Sequence, residues 1–288
     1  MLTPAQSFPA RAILPLLGVI FALPALAQSG PPEIDRAFDR LYNFDFQGSH
    51  QILDRYIQSH PQEPLPYAVR ASAYLFSELD RLGILESQFF VSDKRIADKK
   101  RNLAPDPRVR QLLFQSIGDA QSRANAILAS RPDDPNALFA MCMTLGITSD
   151  YMALVEKRQL SSLPVAKRSN TYAQQLLKRN PPWYDAYVTA GIDEYLVGCL
   201  PFFIKWFVRF DNIQGSKDQA IRNLQIVASK GHYLKAFSKI LLGIIFLREK
   251  QPRETERLLA ELAHDYPANP LFRRELARVS TEAGGGQP

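Results

Sequence analysis

The chain has 288 residues, with 35 Lys and Arg against 29 Asp and Glu for a formal charge of +6, and 46% hydrophobic residues against 22% charged. That balance belongs to globular proteins and not to disordered chains, while 14 Gly and 2 Cys exclude collagen-like and disulfide-scaffold architectures. The basic residues are spread over most of the chain, so bulk charge does not point to nucleic acid as a partner.

Residues 1–27 read as a secretory signal. Arg11 and the free amine supply positive charge, Ala12 to Leu23 form an apolar stretch interrupted by Pro15 and Gly18, and Ala25-Leu26-Ala27 gives a small-x-small cleavage pattern. Gln28 is then the expected new N-terminus. The stretch is short for a membrane span, and no Cys follows it to carry a lipid anchor. Export places the protein in the periplasm or outside the cell, where Cys142 and Cys199 can oxidise; spacing alone leaves open whether they reach each other.

From Gln28 onward the apolar residues follow helical spacing. Ile34, Ala37, Phe38, Leu41 and Tyr42 form one stripe, and Ile52, Leu53, Tyr56 and Ile57 form a second that His60-Pro61 stops. Proline then punctuates the chain after each helix, at Pro61, Pro132, Pro181 and Pro267. No stretch alternates with the period of two that a half-buried strand needs. The expectation is an all-α chain of helical hairpins.

The spacing within these hairpins resembles the tetratricopeptide repeat family, a 34-residue helix–turn–helix unit. In the clearest unit, 236–269, Leu242 and Gly243 take positions 7 and 8, Phe246 takes 11, Leu259 and Leu262 take 24 and 27, and Pro267 takes 32. Lys239 at position 4 and Thr255 at position 20 depart from the pattern. Further units run over about 30–63, 64–134, 135–183 and 184–235, with Tyr67, Ala71, Tyr74 and Ala120 in the second, Leu138, Met141, Cys142 and Leu145 in the third, and Ala190, Gly191, Ala220 and Leu224 in the fourth. The first is degenerate in its leading helix, and the middle three carry insertions. A polar-faced cap is expected over 270–282 and a disordered tail over 284–288. The resemblance implies a right-handed solenoid of hairpins spanning 28–283, in which small residues at positions 8 and 20 let paired helices touch.

In this family the first helix of each unit lines the concave surface and binds protein partners. Carried over by position, the lining includes Leu75 and Phe76 in the second unit, Val188, Ile192 and Tyr195 in the fourth, and Ile240 and Ile244 in the fifth. This lining is apolar and lacks the Lys, Asn and Arg set that clamps a terminal carboxylate. The run Ile240–Leu247 reads as a helix buried on every side, with the segment 199–210, including Trp206, as its natural cover. That segment also suits a membrane interface or the wall of an apolar-ligand pocket. The basic stretch 93–101 suits an anionic lipid or an acidic partner, or simply a solvated surface.

No chemistry is legible. The four histidines lack a Cys or carboxylate at metal-ligand spacing, adjacent Asp193 and Glu194 point in different directions on a helix, and no nucleophile elbow, HExxH, Walker or dinucleotide motif occurs. Cys142 sits at a small-residue packing position. The expectation is therefore a non-enzymatic exported scaffold, without metal or cofactor, that binds another protein of the cell envelope. The alternative is a carrier of an apolar ligand or lipid that uses the groove and 199–210.

Overall fold

A computed structural model of the protein describes residues 30–86, 103–199 and 216–284. The leader 1–27, the basic stretch 93–101, Trp206 with the rest of 200–210, and the Cys199 side chain lie outside the described residues, as does the tail beyond Gly284.

Eleven α-helices and no strand occur among the described residues. They are α1 (Pro32–Tyr42), α2 (Phe46–Ser59), α3 (Leu65–Arg81), α4 (Pro107–Ser130), α5 (Pro135–Asp150), α6 (Gln159–Leu177), α7 (Tyr187–Cys199), α8 (Lys217–Lys230), α9 (Lys235–Arg248), α10 (Pro252–Asp265) and α11 (Pro270–Gly284). Each packs against the next in sequence, and α3 also packs against α1 and α5. The last helix, α11, runs from Pro270 to Gly284, over the stretch where a cap was expected.

The helix starts follow from local chemistry. Proline opens α1, α4, α5, α10 and α11, where its missing N–H is one that no helical partner would have taken. Asp106, Asp134 and Asp45 cap α4, α5 and α2 by accepting from backbone N–H groups within the first turn. Past Asp150 the chain widens into a π-helical turn, Tyr151–Val155, before α6 begins. The continuous run Pro135–Val155 is long and apolar enough to cross a membrane by composition. With 67% of its most apolar window buried, and α3, α4 and α6 packed around it, it serves here as a central core helix.

The hairpins cross where small side chains recur. Ala71 and Ala120 are fully buried, and a Cβ on the buried Gly191 would stand 3.0 Å from Leu224 Cγ and 3.3 Å from the Ala220 carbonyl oxygen. In three other hairpins a hydroxyl on the second helix donates to a carbonyl on the first. Ser49 Oγ reaches the Ala37 carbonyl at 2.9 Å, Ser169 Oγ the Cys142 carbonyl at 2.8 Å, and Thr255 Oγ1 the Gly243 carbonyl at 3.0 Å. In the repeat register these join position 20 to position 8 every time. Thr255, expected to be a departure, thus makes the crossing contact of its hairpin, and Ser49 makes the same contact with Ala37 in the first hairpin. Lys239, the other departure, is 8% exposed, with its ammonium between Glu261 at 3.0 Å and Asp265 at 3.3 Å on α10.

One expectation is corrected. Helix α9 is not buried all round: Leu242, Ile245 and Phe246 are core, whereas Phe237, Ile240, Ile244 and Leu247 form a half-buried stripe along one side. An unbroken apolar run has no periodicity from which to read an outer face, so the sequence pattern could not separate these two sides.

Candidate functional site

The predicted lining residues are not gathered into one open groove. Leu75 and Val188, each 3% exposed, belong to two different cores. Leu75 packs with Leu79, Ile147 and Tyr151, and Val188 with Leu224, Leu242 and Phe246. Ile192 and Tyr195 are half-buried against the second of these cores. Phe76 and Ile240 flank a third, with the Phe76 ring edge-on to Phe237 at 5.7 Å. Ile244 lies on the half-buried side of α9.

What occupies the third core is the first helix. The α1 stripe Ile34, Ala37, Phe38, Leu41 and Tyr42 is at most 6% exposed and meets Leu65, Phe139, Trp183, Tyr233 and Phe272. Phe38 stacks on Tyr233 at 5.0 Å, Tyr42 donates to the Tyr233 carbonyl at 3.0 Å, and Asn269 donates to the Tyr42 carbonyl at 2.8 Å. The opening and closing hairpins of the described chain therefore touch directly. Sequence reasoning assigned this stripe to a helix but had no local signal for partners nearly two hundred residues away.

The turn that receives α1 is held by a carboxylate. Asp185, in the 3-10 turn Tyr184–Ala186, is fully buried and accepts from the N–H groups of His232 at 3.0 Å and Leu234 at 2.8 Å, at the start of α9. Burial pushes its carboxyl upward and the backbone donors pull against that. Gly231 is required beside it, because a Cβ there would meet the Val227 carbonyl oxygen at 2.7 Å and Asp185 Oδ1 at 3.0 Å. His232 then turns its ring outward to Asp35 of α1, with Nε2 and Oδ1 2.7 Å apart. These groups are spent on one another and brace the fold.

The surface offers a different feature, an open cleft of about 830 Å³ between α1 and α2. Half of its lining residues are charged: Glu33, Arg36, Asp39 and Arg40 from α1, with Asp45 and Arg55, face Gln51 and His60 from the second hairpin arm. Arg36 pairs with Glu33 at 2.8 Å and Arg40 with Asp45 at 3.0 Å, while Arg55 donates through Nε to the Gln51 carbonyl at 3.2 Å. Pairs this exposed contribute little to stability, so their side chains can exchange partners at small cost. This cleft was missed by position-based transfer. The legible signal was the mixed-sign row Glu33, Arg36, Asp39, Arg40 opposite the buried stripe of the same helix.

Among the described residues no group of three His, Cys, Asp or Glu side chains is placed to hold a metal ion. Burial pushes the Asp150 carboxyl up to about 7, just before the π-helical turn. His50 has its imidazole lowered, first by burial and then by the Arg70 guanidinium, and its ring packs 4.2 Å from Tyr74. Arg70 itself is ion-paired to Asp54. No family model matches this sequence, and comparison with curated proteins and with solved structures finds no similar chain.

Proposed function

We propose that the protein is an exported, non-catalytic scaffold of tetratricopeptide type, a right-handed stack of helical hairpins that binds a protein partner in the cell envelope. The observation that supports the class is the crossing at repeat positions 8 and 20: three hairpins join these positions by the same hydroxyl-to-carbonyl bond, and in a fourth Gly191 lies where a Cβ would crowd the Ala220 carbonyl. Repeated crossings at one register are what a solenoid needs, since each hairpin buries its apolar face on the next. The export reading rests on the leader and its cleavage pattern.

With α1 seated among the apolar residues of the inner face, the partner surface is assigned to the α1–α2 cleft. A polypeptide that brings both charge signs can replace the exposed Arg36–Glu33 and Arg40–Asp45 pairs and engage Arg55 bidentately. The test is site-specific photocrosslinking in envelope extracts, with the reactive side chain at Gln51 in the cleft and, as control, at the exposed Gln225 on α8. A discrete adduct from Gln51 alone, lost on Arg36→Glu/Arg55→Glu, is expected. The same adduct from both positions, or none from Gln51, removes the cleft from the proposal. N-terminal sequencing of the protein from its native cell, expected to begin at Gln28, tests export separately.

A further inference from the structure

We propose that a second face of the protein, the edge made by the end of α3, the start of α4, the π-helical turn and the first half of α6, docks on an anionic phospholipid bilayer. The large apolar side chains exposed among the described residues are Leu103, Leu160 and Leu163, at 50%, 74% and 39%. Single exposed leucines are ordinary on a soluble protein. The segments that carry these three, however, are tied to one another. Arg81 at the end of α3 donates to the Ala104 carbonyl at 2.7 Å, and Arg110 on α4 meets Glu156 at the close of the π-helical turn at 3.1 Å. Glu156 in turn meets Arg158, the residue before α6, at 3.2 Å. Along α6, Leu160, Leu163, Pro164 and Lys167 are spaced for one helical face, and all four are exposed.

Charge selects the occupant. The same edge carries Arg81, Arg108, Arg110, Lys157, Arg158, Lys167 and Arg168 against the acids Glu78, Asp80, Glu86, Asp106 and Glu156. Four of these acids are engaged inside the protein: Glu78 by Arg81, Glu86 by Arg274, Asp106 as the cap of α4 and Glu156 between two arginines. A net positive rim around projecting aliphatic side chains matches the boundary of an anionic bilayer, where leucines enter the acyl region and Lys and Arg meet the headgroups. A protein surface is the weaker fit, because protein hot spots rest on aromatic or arginine anchors set in pockets, and here isolated leucines stand out from a helix.

The experiment is vesicle co-sedimentation of the purified protein, in one leader state throughout. Neutral phosphatidylcholine vesicles are compared with vesicles in which a quarter of the lipid is phosphatidylglycerol. The wild type is expected to partition onto the mixed vesicles and only weakly onto neutral ones. Leu160→Ser/Leu163→Ser and Lys167→Glu/Arg168→Glu should each lower that partition about tenfold, with melting temperatures unchanged because the side chains are exposed. Arg36→Glu/Arg55→Glu in the α1–α2 cleft should partition as the wild type does, which separates this surface from the proposed protein site. Equal partition of wild type and both α6 variants, equal binding to neutral and anionic vesicles, or no vesicle binding overturns the proposal. Binding of an acidic protein that depends on Lys167 and Arg168, without vesicle binding, reassigns the edge to a protein partner.

Discussion

Two glycines at the same repeat position sit in different space. At Gly191 an added methyl meets Leu224 Cγ at 3.0 Å and the Ala220 carbonyl oxygen at 3.3 Å, and the second of these is backbone and cannot swing aside. At Gly243 the nearest atom is Thr255 Cγ2 at 3.6 Å, an ordinary contact. Replacing Gly by Ala in a helix gains about 1 kcal/mol of propensity, while overpacking costs roughly 1–3 kcal/mol. Gly243→Ala is therefore expected to raise the melting temperature slightly and Gly191→Ala to lower it, both read by thermal unfolding. A Leu at Gly243 remains destabilising, since its branch passes well beyond the 3.6 Å clearance. The sequence showed that small residues recur at this position, and it marked Thr255 as an exception. Only the hydroxyl's bond to the Gly243 carbonyl shows what Thr255 contributes at this crossing.

At the scale of the helix, most of the architecture was legible because prolines and capping acids act locally. Pro135 after Asp134 and Pro107 after Asp106 mark helix starts that any reader of the sequence can find. The start of α9 obeys no such rule. Leu234 stands at its N-terminal boundary and makes no side-chain cap, and the acceptor comes instead from Asp185, 49 residues earlier. A cap borrowed over that distance leaves no mark in the local pattern. Removing it leaves the part-buried N–H groups of His232 and Leu234 without this acceptor, a cost of up to about 3 kcal/mol for each group. Asp185→Ala is expected to lower the unfolding free energy by roughly 3 kcal/mol in denaturant titration. Asp185→Asn, which retains one acceptor oxygen, should lose less than half of that.

In a solenoid of independent hairpins, damage to the first unit stays in the first unit, because each repeat contacts only its neighbours. Here α1 breaks that rule. Its partners on the far hairpins are Tyr233, which takes the Phe38 ring at 5.0 Å and the Tyr42 hydroxyl at 3.0 Å, and Asn269, which donates to the Tyr42 carbonyl at 2.8 Å. The apolar stripe that makes these contacts was plain in the sequence, but a stripe states only that a face is buried and not against what. Closure of this kind couples the ends of the array. Phe38 is 5% exposed, and truncating a buried Phe to Ala costs about 3–5 kcal/mol. Native-state hydrogen exchange on Phe38→Ala should therefore show lost protection both in α1 and at the start of α9 around Leu234–Ser238, while α4, which contacts α1 little, retains its protection. Protection lost from α1 and α2 alone would mean that the two ends are in contact without being energetically coupled, and that the protein unfolds as an open stack.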